Sequence, residues 1–133
     1  MPRTSQRQDA QQRTGGQANP GPIDHSVLDK LLCDDREAVA VVLRQFRSSC
    51  PGDASALGVA LSRNDNTGAQ RWAHRLKGAC QMVGANRLAE ICERVEAAVR
   101  AGDSGLIAQA VSEIEYEAER ITGYLDAWLK AHP

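Results

Sequence analysis

The chemistry this sequence permits is concentrated in three residues at fixed spacing: His74, Lys77 and Gly78. A neutral imidazole attacks an electrophile through one ring nitrogen while the other keeps its proton. Attack on phosphorus gives a phosphoramidate with about −2 charge. Lys77 is placed to offset that charge with a directed ammonium. Gly78 adds no side chain, so the backbone of another protein can approach the ring closely. Glycine costs about 1 kcal/mol relative to alanine inside a helix, and its presence beside a nucleophile argues for steric access.

The element that must carry these residues is an amphipathic helix ending near Val83 at Gly84. Ala69, Trp72, Ala73, Leu76, Ala79, Cys80 and Val83 fall within about ±60° of Leu76 on a helical wheel. His74 falls about 160° away, so the core does not claim it. Lys77 and Gly78 share its surface. Gln81, seven residues after His74, shares that surface too and is a candidate to bond a phosphate or a partner loop.

A second helix must orient the ring. One begins near Asn86, with Leu88, Ile91, Cys92, Val95, Ala98 and Val99 on its apolar face. Glu96 lies about 100° from the centre of that face, at the margin from which a side chain reaches a neighbouring helix. Its carboxylate is a candidate to accept the proton-bearing nitrogen of His74 and fix the tautomer. The ideal wheel puts His74 rather far round for that contact. Arg100, one turn beyond Glu96, is a further candidate of the same kind.

The remaining helices follow from apolar stripes and caps. Asp24 is the expected cap of a short first helix, with Ile23, Val27, Leu28, Leu31 and Leu32 turned inward. Asp34 or Asp35 caps the next, whose stripe is Val39, Val42, Leu43 and Phe46. Pro51-Gly52 interrupts it before Ala54, Leu57 and Leu61, implying one kinked helix or two in succession. Asp65 caps the histidine helix. Ala101-Gly102-Asp103 separates the fourth helix from a last one over about 104–131. No strand pattern occurs. The expected fold is all-α: an antiparallel up-and-down four-helix bundle with a short additional N-terminal helix. Residues 1–22, rich in Gln, Arg, Gly and Pro, read as a disordered tail or linker, leaving 23–133 as the domain.

Composition narrows the function classes. Sixteen Lys and Arg against 17 Asp and Glu leave a formal charge of −1, which does not suit a nucleic-acid binder. No apolar run reaches the ~18 residues of a membrane span, and the N-terminus lacks a signal-peptide stretch, so a cytoplasmic location without direct membrane contact is expected. Cys33, Cys50, Cys80 and Cys92 form no C-x-x-C pair and, with Cys80 and Cys92 on apolar helix faces, read as reduced core thiols. No ligand spacing links them with His25, His74 and His132 into a metal site. No G-x-x-x-x-G-K-[ST] loop or other nucleotide motif is present, so the chain has no means of charging the histidine from ATP. It reads as a carrier without autonomous kinase activity.

His74-Arg75-Leu76-Lys77-Gly78-Ala79-Cys80, followed by Val83-Gly84-Ala85, resembles the H-x-[LF]-K-G-x-[SA]-x-x-[LV]-G motif of histidine-containing phosphotransfer domains. The likeness extends over about residues 23–131. Cys80 departs from the usual Ser or Ala and is taken as a core swap. The resemblance implies a bundle in which His74 takes a phosphoryl group from one receiver domain and returns it to another. Those receivers belong to a hybrid sensor kinase or a response regulator. It implies that Lys77 and Gly78 aid transfer and that Glu96 bonds the ring. It also implies no intrinsic cofactor, with Mg²⁺ supplied by the receiver, and a monomer as an isolated domain. The basic tail resembles the linker to the receiver of a hybrid kinase, of which this domain would be the cytoplasmic C-terminal module whether or not that kinase is membrane-bound. The rival readings are a helical adaptor that has kept the bundle without relay activity, and a sensor-kinase phosphoacceptor domain. The latter usually has an acidic residue after the histidine, where Arg75 stands here.

Overall fold

A computed structural model describes residues 21–133, and the tail reading therefore lies almost wholly outside the described residues. Five helices follow in order: α1 (His25–Leu31), α2 (Arg36–Ser62), α3 (Asn66–Val83), α4 (Asn86–Ala101) and α5 (Ser104–Ala131). No strand occurs among the described residues.

Four aspartates start four of these helices. Asp24, Asp35, Asp65 and Asp103 accept hydrogen bonds from the backbone N–H of Ser26, Ala38, Gly68 and Leu106. Each satisfies a donor that the first turn leaves unpaired. Of the two candidates for α2, Asp35 is the cap. The exception is α4, where Ala85 precedes the helix and no side chain caps it. The histidine helix ends where the glycine rule places it. Gly84 has φ +80°, and a Cβ there would stand 2.2 Å from the carbonyl oxygen of Asp24. The Asp24 N–H in turn donates to the Gly84 carbonyl at 2.8 Å. The head of α1 is thereby fastened to the α3–α4 turn.

Pro51 does not divide the second segment. α2 is one helix of 27 residues with the proline inside it. Proline removes the N–H that the Arg47 carbonyl would accept. Side-chain packing carries the helix through, with Phe46, Cys50, Ala54 and Leu57 all buried around the proline. The Arg47 guanidinium also crosses to Asp126 of α5 at 2.7 Å.

α2 and α4 each pack against both α3 and α5, while the α1 backbone lies against α2 and α3 and its His25 side chain reaches Tyr124 and Trp128 of α5. The shared core includes Leu43, Leu57, Leu76, Leu88, Ile91, Val95, Ile114, Ile121 and Leu125, all essentially inaccessible. Each such side chain stabilises the fold by about 1.5–3 kcal/mol through burial. One expected core residue is not there. Leu31 is 60% exposed, because α1 is a seven-residue helix whose single buried helical side chain is Leu28.

Cys50, Cys80 and Cys92 are buried free thiols, whereas Cys33 is a free thiol on the surface. Burial pushes the Cys50 thiol up to about 11 and that of Cys92 to about 12, and raises Cys80 further. No described helix is long and apolar enough to cross a membrane.

Candidate functional site

The site is built on the outer surface where α3 meets α4. The inward face of α3 is held by Ala69, Ala73, Leu76, Cys80 and Val83, all buried, with Trp72 and Ala79 half-buried against the core. That anchoring turns His74 outward, and its side chain is 77% exposed. α4 is held in the same way by Leu88, Ile91, Cys92, Val95 and Val99. Glu96 emerges at the edge of that face with only 14% of its side chain exposed.

Three of the residues singled out in the sequence come together. A Glu96 carboxylate oxygen accepts from Lys77 Nζ at 2.8 Å. The other oxygen stands 3.5 Å from His74 Nδ1. The first distance is a charge-assisted hydrogen bond. The second is an approach, longer than the 2.7–3.2 Å usual for such bonds. The hydrogen bond that Lys77 donates to Glu96 raises the Lys77 pKa, so the ammonium is held charged. With Nδ1 turned toward Glu96, Nε2 is the nitrogen left facing outward.

This arrangement modifies the expectation for Lys77. Its ammonium does not wait free beside His74 but is engaged with Glu96, and its side chain is only 20% exposed. The wheel made the His74–Glu96 approach look too long, because it treats each helix alone and ignores the reach of a glutamate lying along the interface. A Cβ at Gly78 would meet nothing within 4 Å, so the surface one turn past the ring is open. Gln81 and Arg100 are exposed, and neither is drawn into a hydrogen bond or ion pair with the three. On the other flank of His74, the Arg75 guanidinium lies 5.3 Å from the Trp72 ring centroid.

His74 does not sit in a cavity. A groove of 1080 Å³ runs between α2 and α5, and none of its lining residues belongs to α3 or α4. A second pocket of 530 Å³ lies by His25, Trp128 and His132. The imidazole thus stands on a convex helix surface. Exclusion of water from any reaction there requires a partner's surface. Among the described residues no group of His, Cys, Asp and Glu is placed to hold a metal ion.

Comparison with known proteins bears on the family and the fold. The model of the Hpt domain family matches residues 41–127, a span that contains α3, α4 and most of α2 and α5. Among solved structures, the fold is similar to the crystal structure of histidine-containing phosphotransfer protein B (HptB) from Pseudomonas aeruginosa PAO1. The TM-score is 0.76 at 22% identity, over 86% of this chain and 100% of that one. At that identity the likeness speaks for the fold. No curated protein matches.

Proposed function

The chain belongs to the Hpt domain family, and from that premise we propose that it is a phosphorelay intermediate whose phosphoacceptor is His74. The observation that carries this reading is the exposed imidazole with Nδ1 turned toward a carboxylate and Nε2 toward solvent.

In the proposed reaction, the Nε2 lone pair attacks the phosphorus of an aspartyl phosphate on a receiver domain. The Nε2–P bond forms as the acyl phosphate P–O bond breaks, and the aspartate leaves as its carboxylate. Nδ1 keeps its proton, which faces Glu96, so the ring carries the positive charge that develops. Glu96 offsets that charge, and Lys77 holds the Glu96 carboxylate in place beside the ring. A phosphoryl group on a protonated imidazole is a good donor, and the reverse steps pass it to a second receiver. Transfer of this kind depends mainly on positioning and charge.

The Mg²⁺ expected in this chemistry is assigned to the receiver. Glu96 is the one carboxylate beside the ring among the described contacts, and Lys77 already occupies it. Docking is transient and uses the open surface around His74 and Gly78, with less than about 1,200 Å² of total buried area. The pairing of α2 and α4 each with α3 and α5 supports an antiparallel four-helix bundle flanked by α1. We assign residues 23–133 to this domain, as a monomer in the cytoplasm. The bundle without its chemistry would be an adaptor. The intact His74, Lys77 and Gly78 favour the relay.

Incubation with a receiver carrying labelled aspartyl phosphate tests the reading. Acid-labile, alkali-stable label on the wild type and none on His74→Gln is the expected result. Equal labelling of both proteins overturns it.

A further inference from the structure

The charges of the site already cancel before any phosphate arrives. Lys77 and Glu96 form one ion pair, and each is largely shielded from solvent. A phosphoryl group on Nε2 of His74 would add about two negative charges. It would do so near a carboxylate that stands 3.5 Å from the other ring nitrogen. Lys77 is held at 2.8 Å by that carboxylate. To meet the phosphoryl oxygens it would have to leave Glu96 beside the new dianion. Compensation therefore calls for a cation that is not already engaged.

α3 carries one. Arg71 lies three residues before His74, so the two share a stripe of the helix surface. It is exposed, and among the described residues it makes no hydrogen bond or ion pair. Helical side chains lean toward the N-terminus of their helix, so the His74 ring overhangs the turn that bears Arg71. The neighbouring arginines are placed differently. Arg75 is about 100° round the helix from His74, with its guanidinium over Trp72. Arg100 stands on α4, across the interface and one turn beyond Glu96. A guanidinium is always charged, and its planar fork matches two phosphoryl oxygens at once.

We infer that Arg71 is a phosphoryl-binding residue of this site, its guanidinium meeting the oxygens of phosphorylated His74 while Lys77 remains with Glu96. The inference rests on the reading of His74 as the phosphoacceptor. It assigns separate tasks to the two cations of α3: Lys77 maintains the carboxylate that orients the ring, and Arg71 meets the cargo.

The test uses the chain phosphorylated chemically with phosphoramidate, which needs no receiver. The ³¹P resonance of phosphorylated His74 is identified by its absence in His74→Gln. Its pH titration reports the ionisation of the phosphorylated imidazole, ring and phosphoryl group together, and a nearby guanidinium lowers that midpoint. Arg71→Gln is expected to raise that midpoint by about 0.5 pH unit or more, and Arg71→Lys to recover part of the shift. A midpoint unchanged in Arg71→Gln overturns the inference. So does a shift of that size in Arg100→Gln without one in Arg71→Gln. A His74 that takes no phosphate from phosphoramidate overturns it together with the reading beneath it. Failure of receiver-to-His74 transfer beside a normal Arg71-dependent shift would sink the relay alone.

Discussion

Lys77 and Glu96 form a 2.8 Å ion pair that ties α3 to α4 beside the His74 ring. Because the carboxylate touches both Lys77 and the vicinity of Nδ1, the two residues are expected to act as one unit. Glu96→Gln and Lys77→Met should each slow receiver-to-His74 transfer by about tenfold or more, the usual range for groups that orient a reactive ligand. The double variant should be little slower than the worse single one, since each substitution disables the same device. Single-turnover transfer rates of all four proteins measure this. Multiplying penalties would show that the two residues work independently.

Gly78 and Gly84 sit six residues apart and should respond oppositely to a side chain. Nothing within 4 Å obstructs a Cβ at Gly78. Gly78→Ala should therefore raise stability by about 0.5–1 kcal/mol through helix propensity. Gly78→Gln should keep the fold and slow transfer by crowding the partner. At Gly84 a Cβ would collide with the Asp24 carbonyl at a positive φ. Gly84→Ala is expected to destabilise by about 1–3 kcal/mol. Urea denaturation midpoints, read alongside transfer rates, separate the two effects.

Thiol reactivity should divide one against three. Cys33 is exposed, while Cys50, Cys80 and Cys92 are buried with raised pKa values. At pH 8 a disulfide reagent should label Cys33 quickly and the other three only on unfolding, since the thiolate is the reactive species. Rapid modification of a second thiol in the native protein would show that the core opens far more often than its packing implies.

The α1–α5 end of the molecule should weaken in mild acid. Burial holds the His25 imidazole below its ordinary pKa, outweighing the opposing pull of Asp29 and Asp24, and His132 lowers it further. Its Nε2 is paired with the Tyr124 hydroxyl, and its ring stacks on Trp128, which stacks in turn on His132. The folded state resists the proton that the unfolded chain accepts at about pH 6.5. Stability tied to neutral His25 is thus present above that pH and lost as pH falls through it. The Asp126 carboxyl, held down by its hydrogen bond from Arg47, acts in a separate window below about pH 4. Urea midpoints between pH 7.5 and 5.5 should fall in the wild type and fall less in His25→Gln.

Much of this molecule was legible one helix at a time. Aspartate caps and glycine stops mark where backbone donors need a partner or φ must turn positive, and both are local demands. The outward aim of His74 followed from the wheel for the same reason. Of what crosses between helices, only Glu96 as a partner of the ring was legible. The engagement of Lys77 with Glu96 depends on the axial register of α3 against α4, which no single-helix periodicity encodes. The uninterrupted course of α2 through Pro51 depends on the burial of Phe46, Cys50, Ala54 and Leu57 around it, which outweighs one lost hydrogen bond. Leu31 was misplaced because a seven-residue helix has too little surface to bury a full apolar stripe.

The fastening of Asp24 to Gly84 also fixes geography. Any segment joined ahead of Gly21 meets the domain beside the end of the histidine helix, about 15 Å along its axis from His74 at 1.5 Å per residue. A partner tethered there would not search three dimensions for its target. Its local concentration at the imidazole would be set by linker length, on the order of millimolar for a short flexible connection. A free partner would compete against that value, so the choice between a tethered and a free partner would depend on reach as well as on affinity.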